Sequence, residues 1–163
     1  MEDLLNDNFV ITSTVLTKKS LLKSVGFFNK NPLFMAKEDF GMWLRISTVS
    51  DIYYLSGPLA IYRVDASDSI RKRESKIKYL FGMISIIEYF KTYLSTNNLI
   101  NKNKEYLLIK KILIYKYQLL RLYWYQKEYV DLLKLIYMLA KNNLKDFIKL
   151  ILNRVKKVLQ GGL

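Results

Sequence analysis

The sequence predicts a mostly helical α+β chain in two parts, a mixed α/β stretch over residues 1–70 and an all-α remainder over 71–163. Three observations predict it. In the first part the hydrophobic period switches repeatedly between strand-like alternation and helical spacing, whereas in the second it stays helical. Half of the chain is apolar (51%), enough to bury a core. The charge is also divided: residues 1–70 carry 7 Lys+Arg against 8 Asp+Glu, residues 71–163 carry 20 against 6, and the whole is +13. The change falls near "SIRKRES" and marks an organisational boundary.

Composition removes several chemistries. The chain has no Cys and no His, so disulfides, thiolate metal sites, Ser-His and Cys-His catalysis and a histidine switch are excluded. Acid–base work must come from carboxylates, Lys or Tyr. The opening "MEDLLNDNF" is acidic where a secretory leader is basic. Charges interrupt every apolar run well short of the about 18 residues a membrane span needs.

Taken in order, "FVITSTVL" is β-branched and reads as a strand. "TKKSLLKSVG" reads as a short helix, with Thr17 as cap, Leu21, Leu22 and Val25 as its apolar face, and Gly26 at the left-handed position past its end. "FFNKNPLFMAK" is a loop. "EDFGMWLRIST" is helical, with Phe40, Trp43 and Leu44 on one face. "DIYYLS" and "LAIYRV" read as short strands separated by Gly57-Pro58. Such short mixed pieces bury little alone and look like the end of a larger sheet domain. Beyond residue 71, helices are expected near 73–95, 103–126, 127–141 and 143–160, with breaks at 95–103, at "QKE" and at Asn142-Asn143.

The densest stretch is "AKEDFGMWLRIS". Adjacent carboxylates Glu38 and Asp39 open a helix, two aromatics follow, and Arg45 stands alone. One account is helix electrostatics, since first-turn carboxylates favour the positive end of the dipole by about 0.3–1 kcal/mol. Trp43 is then core and Arg45 a solvated charge.

The other account comes from the order of segments. "STVL", then "SVGFFNK", then "EDFGMWLRI", then "GPLAIYRVDASDSI" resembles the C-terminal part of the catalytic domain of family 2 glycosyltransferases, which have a GT-A fold. Their pattern runs from a strand like STV(L/M), through V-G-G-F-D-E and E-D-x-D-L-W-x-R, to a "pLa.YRvH..S.S" stretch. The resemblance covers roughly residues 9–70 and implies a partial GT-A α/β region followed by a helical extension. It implies that Asp39 is the general base that takes the proton of an acceptor hydroxyl. Glu38 then holds acceptor hydroxyls or orients the site. Trp43 packs the helix, and Arg45 pairs with an acid or reaches toward phosphate. The sequence departs from the pattern at Asn29 and Lys30, where the acidic positions of the glycine-phenylalanine element are lost, and at Gly41, where a polar group is usual. It departs again at Asp65, where many members have His. Asp65 is a competent ligand for Mg²⁺ or Mn²⁺ and equally part of a turn signal.

The resemblance further implies a nucleotide-sugar donor, a glycan or lipid-linked acceptor and a divalent cation in the complete enzyme. Residues 1–70 contain no nucleotide-binding β-α-β series and no Asp-x-Asp motif after a strand, so the expectation is an acceptor-side portion that binds no cation and transfers no sugar alone. The basic helical tail suits a cytoplasmic protein in peripheral contact with the inner membrane face. No nucleic-acid-binding signature is visible. The alternative is a non-catalytic basic helical module that binds a partner protein or an anionic membrane surface.

Overall fold

The structure is a computed structural model that describes residues 1–58, 60–61 and 74–159. It is mostly helical. Helices α1 (Glu2–Asn6), α2 (Lys19–Ser24), α3 (Glu38–Ile46), α4 (Lys76–Thr96), α5 (Lys102–Tyr125) and α6 (Tyr129–Leu159) follow one another, with 3₁₀ turns at Thr12–Thr14 and Pro32–Phe34. By packing, the chain forms two compact units, Met1–Leu108 and Ile109–Leu163.

In the first unit α3 is the central helix. All seven residues from Phe40 to Ile46 are buried. A helix buried all round sits inside a core rather than on its surface, and each large apolar side chain so buried contributes about 1.5–3 kcal/mol. Helix α4 packs on α3, and at Gly41 the fit is tight: a Cβ there would lie 2.8 Å from Ile86 Cδ1. Any side chain at position 41 would have to displace Ile86. Helix α4 starts at Ser75, whose hydroxyl accepts from the Lys78 N–H at 3.2 Å. Short α1, with Leu4 and Leu5 buried, packs beside α3. The Pro32–Phe34 turn packs on α4, with the Phe34 and Tyr89 rings 5.4 Å apart.

Helix α2 ends as its Gly26 predicts. Gly26 has φ +83°, its N–H donates to the Lys23 carbonyl, and the Phe27 N–H donates to the Leu22 carbonyl at 3.0 Å. This is the Schellman pattern, which satisfies carbonyls the helix end leaves open. Its start differs from expectation: Lys18 is the cap residue and no side chain caps the helix, so Thr17 does not serve.

The second unit comprises the rest of α5 and α6, joined through Gln126–Glu128. Leu119 and Tyr123 on α5 and Leu135 and Leu139 on α6 are buried. Helix α5 also ends in a Schellman pattern, but with Lys127 at φ +59° where glycine is usual. The break expected at Asn142-Asn143 is absent, and α6 runs through it. Two asparagines lower helix propensity by only some tenths of a kcal/mol each, and neither Gly nor Pro is present to end the helix.

No strand occurs among the described residues, which corrects the strand readings of "FVITSTVL" and "DIYYLS". The first is extended around the Thr12–Thr14 turn. The second is extended and open, with Tyr53 85% and Tyr54 87% exposed. β-branched and aromatic residues favour a pleated surface, but a strand needs a neighbouring backbone to bond, and no described backbone N–H from Asp51 to Gly57 donates to another described carbonyl. "LAIYRV" falls largely outside the described residues.

Candidate functional site

The acidic pair sits where the chain enters α3. Ala36 has φ +62°, an uncommon value for a residue with a side chain. Next to it Lys37 turns inward. Only 3% exposed, it lays its stem over Gly82 and pairs with Glu74 at 2.6 Å. A Cβ on Gly82 would meet that stem at 2.7 Å, so the glycine is the groove that admits the lysine. With Lys37 anchored inside, Glu38 and Asp39 stand half-buried at the first turn.

Each carboxylate is partly engaged. Glu38 Oε2 accepts from the Lys37 backbone N–H at 2.9 Å. Asp39 Oδ1 accepts from the Phe40 N–H at 2.6 Å, and its Oδ2 accepts from the Thr12 hydroxyl at 2.7 Å. Two donors fix the orientation of the Asp39 carboxylate, and each oxygen keeps a further lone pair. A held carboxylate with spare lone pairs at a surface can accept a proton from an incoming hydroxyl. The dipole of α3 favours the same negative charge.

Arg45 is the largest departure from the surface-charge account. It is 2% exposed. Its Nε donates to the Gly41 carbonyl at 3.1 Å, and its two terminal nitrogens donate to the carbonyls of Val25 and Phe27. Its guanidinium also lies 5.7 Å from the Tyr89 ring centre. The left-handed backbone at Gly26 and at Phe27 (φ +54°) turns two carbonyls toward one planar fork. Arg45 thus ties the end of α2 to α3, and no acid pairs with it among the described residues.

Trp43 is buried, with Phe28 edge-on at 6.3 Å, and its Nε1 has no hydrogen-bond partner among the described residues. Asp65 lies outside the described residues. Among those described, no three carboxylates gather into a group that could hold a metal ion.

The structure therefore brings Asp39, Glu38, Trp43 and Arg45 onto one helix, with Asp39 and Glu38 half-buried at its start and Trp43 and Arg45 in the core. Sequence reasoning missed Thr12 and Lys37. Thr12 lies 27 residues from its partner and carries no local signal. Lys37 reads as a surface residue because lysine is so rarely buried; Glu74, the Met35 carbonyl, the Tyr79 ring and the bare Gly82 accommodate it. Comparison of the chain with protein families, characterised proteins and solved structures finds no match.

Proposed function

We propose that this chain is the acceptor-side part of a family 2 glycosyltransferase with a helical extension. Asp39 takes the proton of an acceptor hydroxyl as that oxygen bonds to the anomeric carbon of a nucleotide-sugar. The bond to the nucleoside diphosphate breaks, and the leaving group departs with the electron pair. Thr12 and the Phe40 N–H orient the base, and Glu38 stands beside it for acceptor hydroxyls. The donor is held by polypeptide other than the described residues. The acceptor is a glycan or lipid-linked sugar, and the site of action is the cytoplasmic face of the membrane.

The observation that carries this reading is the meeting of two distant stretches at the acidic helix. Thr12, the residue just before "STVL", bonds Asp39. Val25 and Phe27, from "SVGFF", accept from Arg45 of "EDFGMWLRI". Phe27 also stands where the resembling motif has its second glycine, and its φ of +54° is the conformation that glycine suits. The spacing of the segments thus has a physical use: distant residues hold one carboxylate and one arginine.

The test is turnover. The chain, isolated from its own cells with whatever polypeptide accompanies it, is given a panel of uridine and guanosine diphosphate sugars with extracted glycan and glycolipid acceptors. Release of nucleoside diphosphate that depends on the acceptor is expected. Release of none, with every donor and acceptor, contradicts the proposal.

A further inference from the structure

We propose that α6, with the turn that precedes it, docks the chain on an anionic lipid surface. The inference deepens the membrane part of the reading above but does not rest on the transferase assignment, because lipid binding is read without donor or acceptor.

The turn and the helix share one exposed apolar strip. Trp124 is 63% exposed, and its ring meets that of Tyr129 edge-on at 6.1 Å, which joins the end of α5 to the start of α6. From there Val130, Leu133 and Tyr137, each at least 65% exposed, follow at three- and four-residue intervals along one side of the helix. Leu135 and Leu139 are buried on another side, so the strip is not the face that the fold uses.

Beside the strip runs a row of cations. Lys134, Lys141, Lys145 and Lys149 recur at seven- and four-residue intervals, and all are exposed. Lys134 pairs with Asp131 at 3.1 Å; the others have no ion pair among the described residues. Residues 109–163 hold 12 Lys+Arg against 3 Asp+Glu, a net of +9.

The combination chooses the occupant. A nucleic acid supplies negative charge but no apolar phase for leucine and valine. The headgroup layer of an anionic bilayer supplies both: acyl chains just below the surface for the strip and phosphates for the lysines. Exposed Trp and Tyr at the head of the strip suit that boundary, since each has an apolar body and a polar edge. No helix of the described residues is long and apolar enough to cross a membrane, so α6 lies along the surface.

The full chain should sediment with vesicles of equal parts phosphatidylglycerol and phosphatidylcholine, and not with phosphatidylcholine alone. Leu133→Ser with Tyr137→Ser leaves every charge in place and should weaken that binding about tenfold or more. Lys141→Gln with Lys145→Gln should weaken it about 25-fold, about fivefold for each lysine. These side chains are exposed, so the variants should keep the wild-type circular dichroism. Trp43 is buried already, so a blue shift of tryptophan emission on adding vesicles reports Trp124. Three results overturn the proposal: no sedimentation with the anionic vesicles; binding that ignores the serine pair, which is mere charge adsorption; or a lipid-free dimer or an RNA complex that depends on Leu133 and Tyr137, which assigns the strip to that occupant.

Discussion

At the residue scale the molecule uses its charges in unequal ways. Asp39 is half-buried and offers lone pairs, whereas Arg45 is a structural cation spent on backbone carbonyls. Replacing it leaves those carbonyls buried without donors, a loss characteristic of broken buried networks. Arg45→Met should lower stability by about 3 kcal/mol, seen as a lower urea midpoint at unchanged slope. Tyr123 gives a second residue-scale prediction. Its burial, and then the charges of Asp131 and Glu128, hold its phenol above the ordinary value of 10.0. The fold therefore keeps the proton that the unfolded chain gives up first. This contribution is complete below about pH 10 and is lost as the pH rises through the raised value. Tyr123→Phe should flatten the fall of melting temperature above that pH, whereas an identical alkaline profile would remove Tyr123 from it.

At the element scale, the helix bodies and the end of α2 were the legible parts, whereas Thr17 was not the cap of α2. Gly26 ended α2 as its position implied, and the tail helices α4 and α5 fell within a few residues of where periodicity put them. Three things were not legible. Short α1 has no periodicity to read, only two leucines that tertiary packing buries. The Asn142-Asn143 pair looked like a break because Asn favours turns, but a weak propensity does not stop a long helix. The strand readings followed side-chain preference alone, while strand formation is decided by whether another backbone is present. The end of α5 offers a direct measure of local strain. Lys127 is held at φ +59°, a conformation that costs a residue with a Cβ about 1 kcal/mol relative to glycine. Lys127→Gly should raise stability by about that amount in chemical denaturation, and a loss of stability would show that the lysine side chain itself matters there.

At the scale of the whole molecule, charge and chemistry are separated along the chain. The acidic pair and the residues that orient it lie in the unit Met1–Leu108, and most of the excess positive charge lies beyond it. Of the candidate site, the acidic pair and the order of the motifs could be read in advance. The contacts that orient Asp39 and hold Arg45 could not, because Thr12, Val25 and Phe27 reach α3 across 18 to 27 residues. The burial of Arg45 could not be read either, since a lone arginine on a helix is usually solvated.

The most direct test of the proposed function is sugar transfer by the chain, with the polypeptide that accompanies it, carrying Asp39→Asn, with nucleotide-sugar affinity measured on the same preparation. The amide keeps the size of the side chain but cannot take the proton. Transfer should fall about 10²- to 10⁴-fold while donor affinity stays unchanged. Full turnover in that variant would contradict the account and leave Asp39 as a helix-end charge.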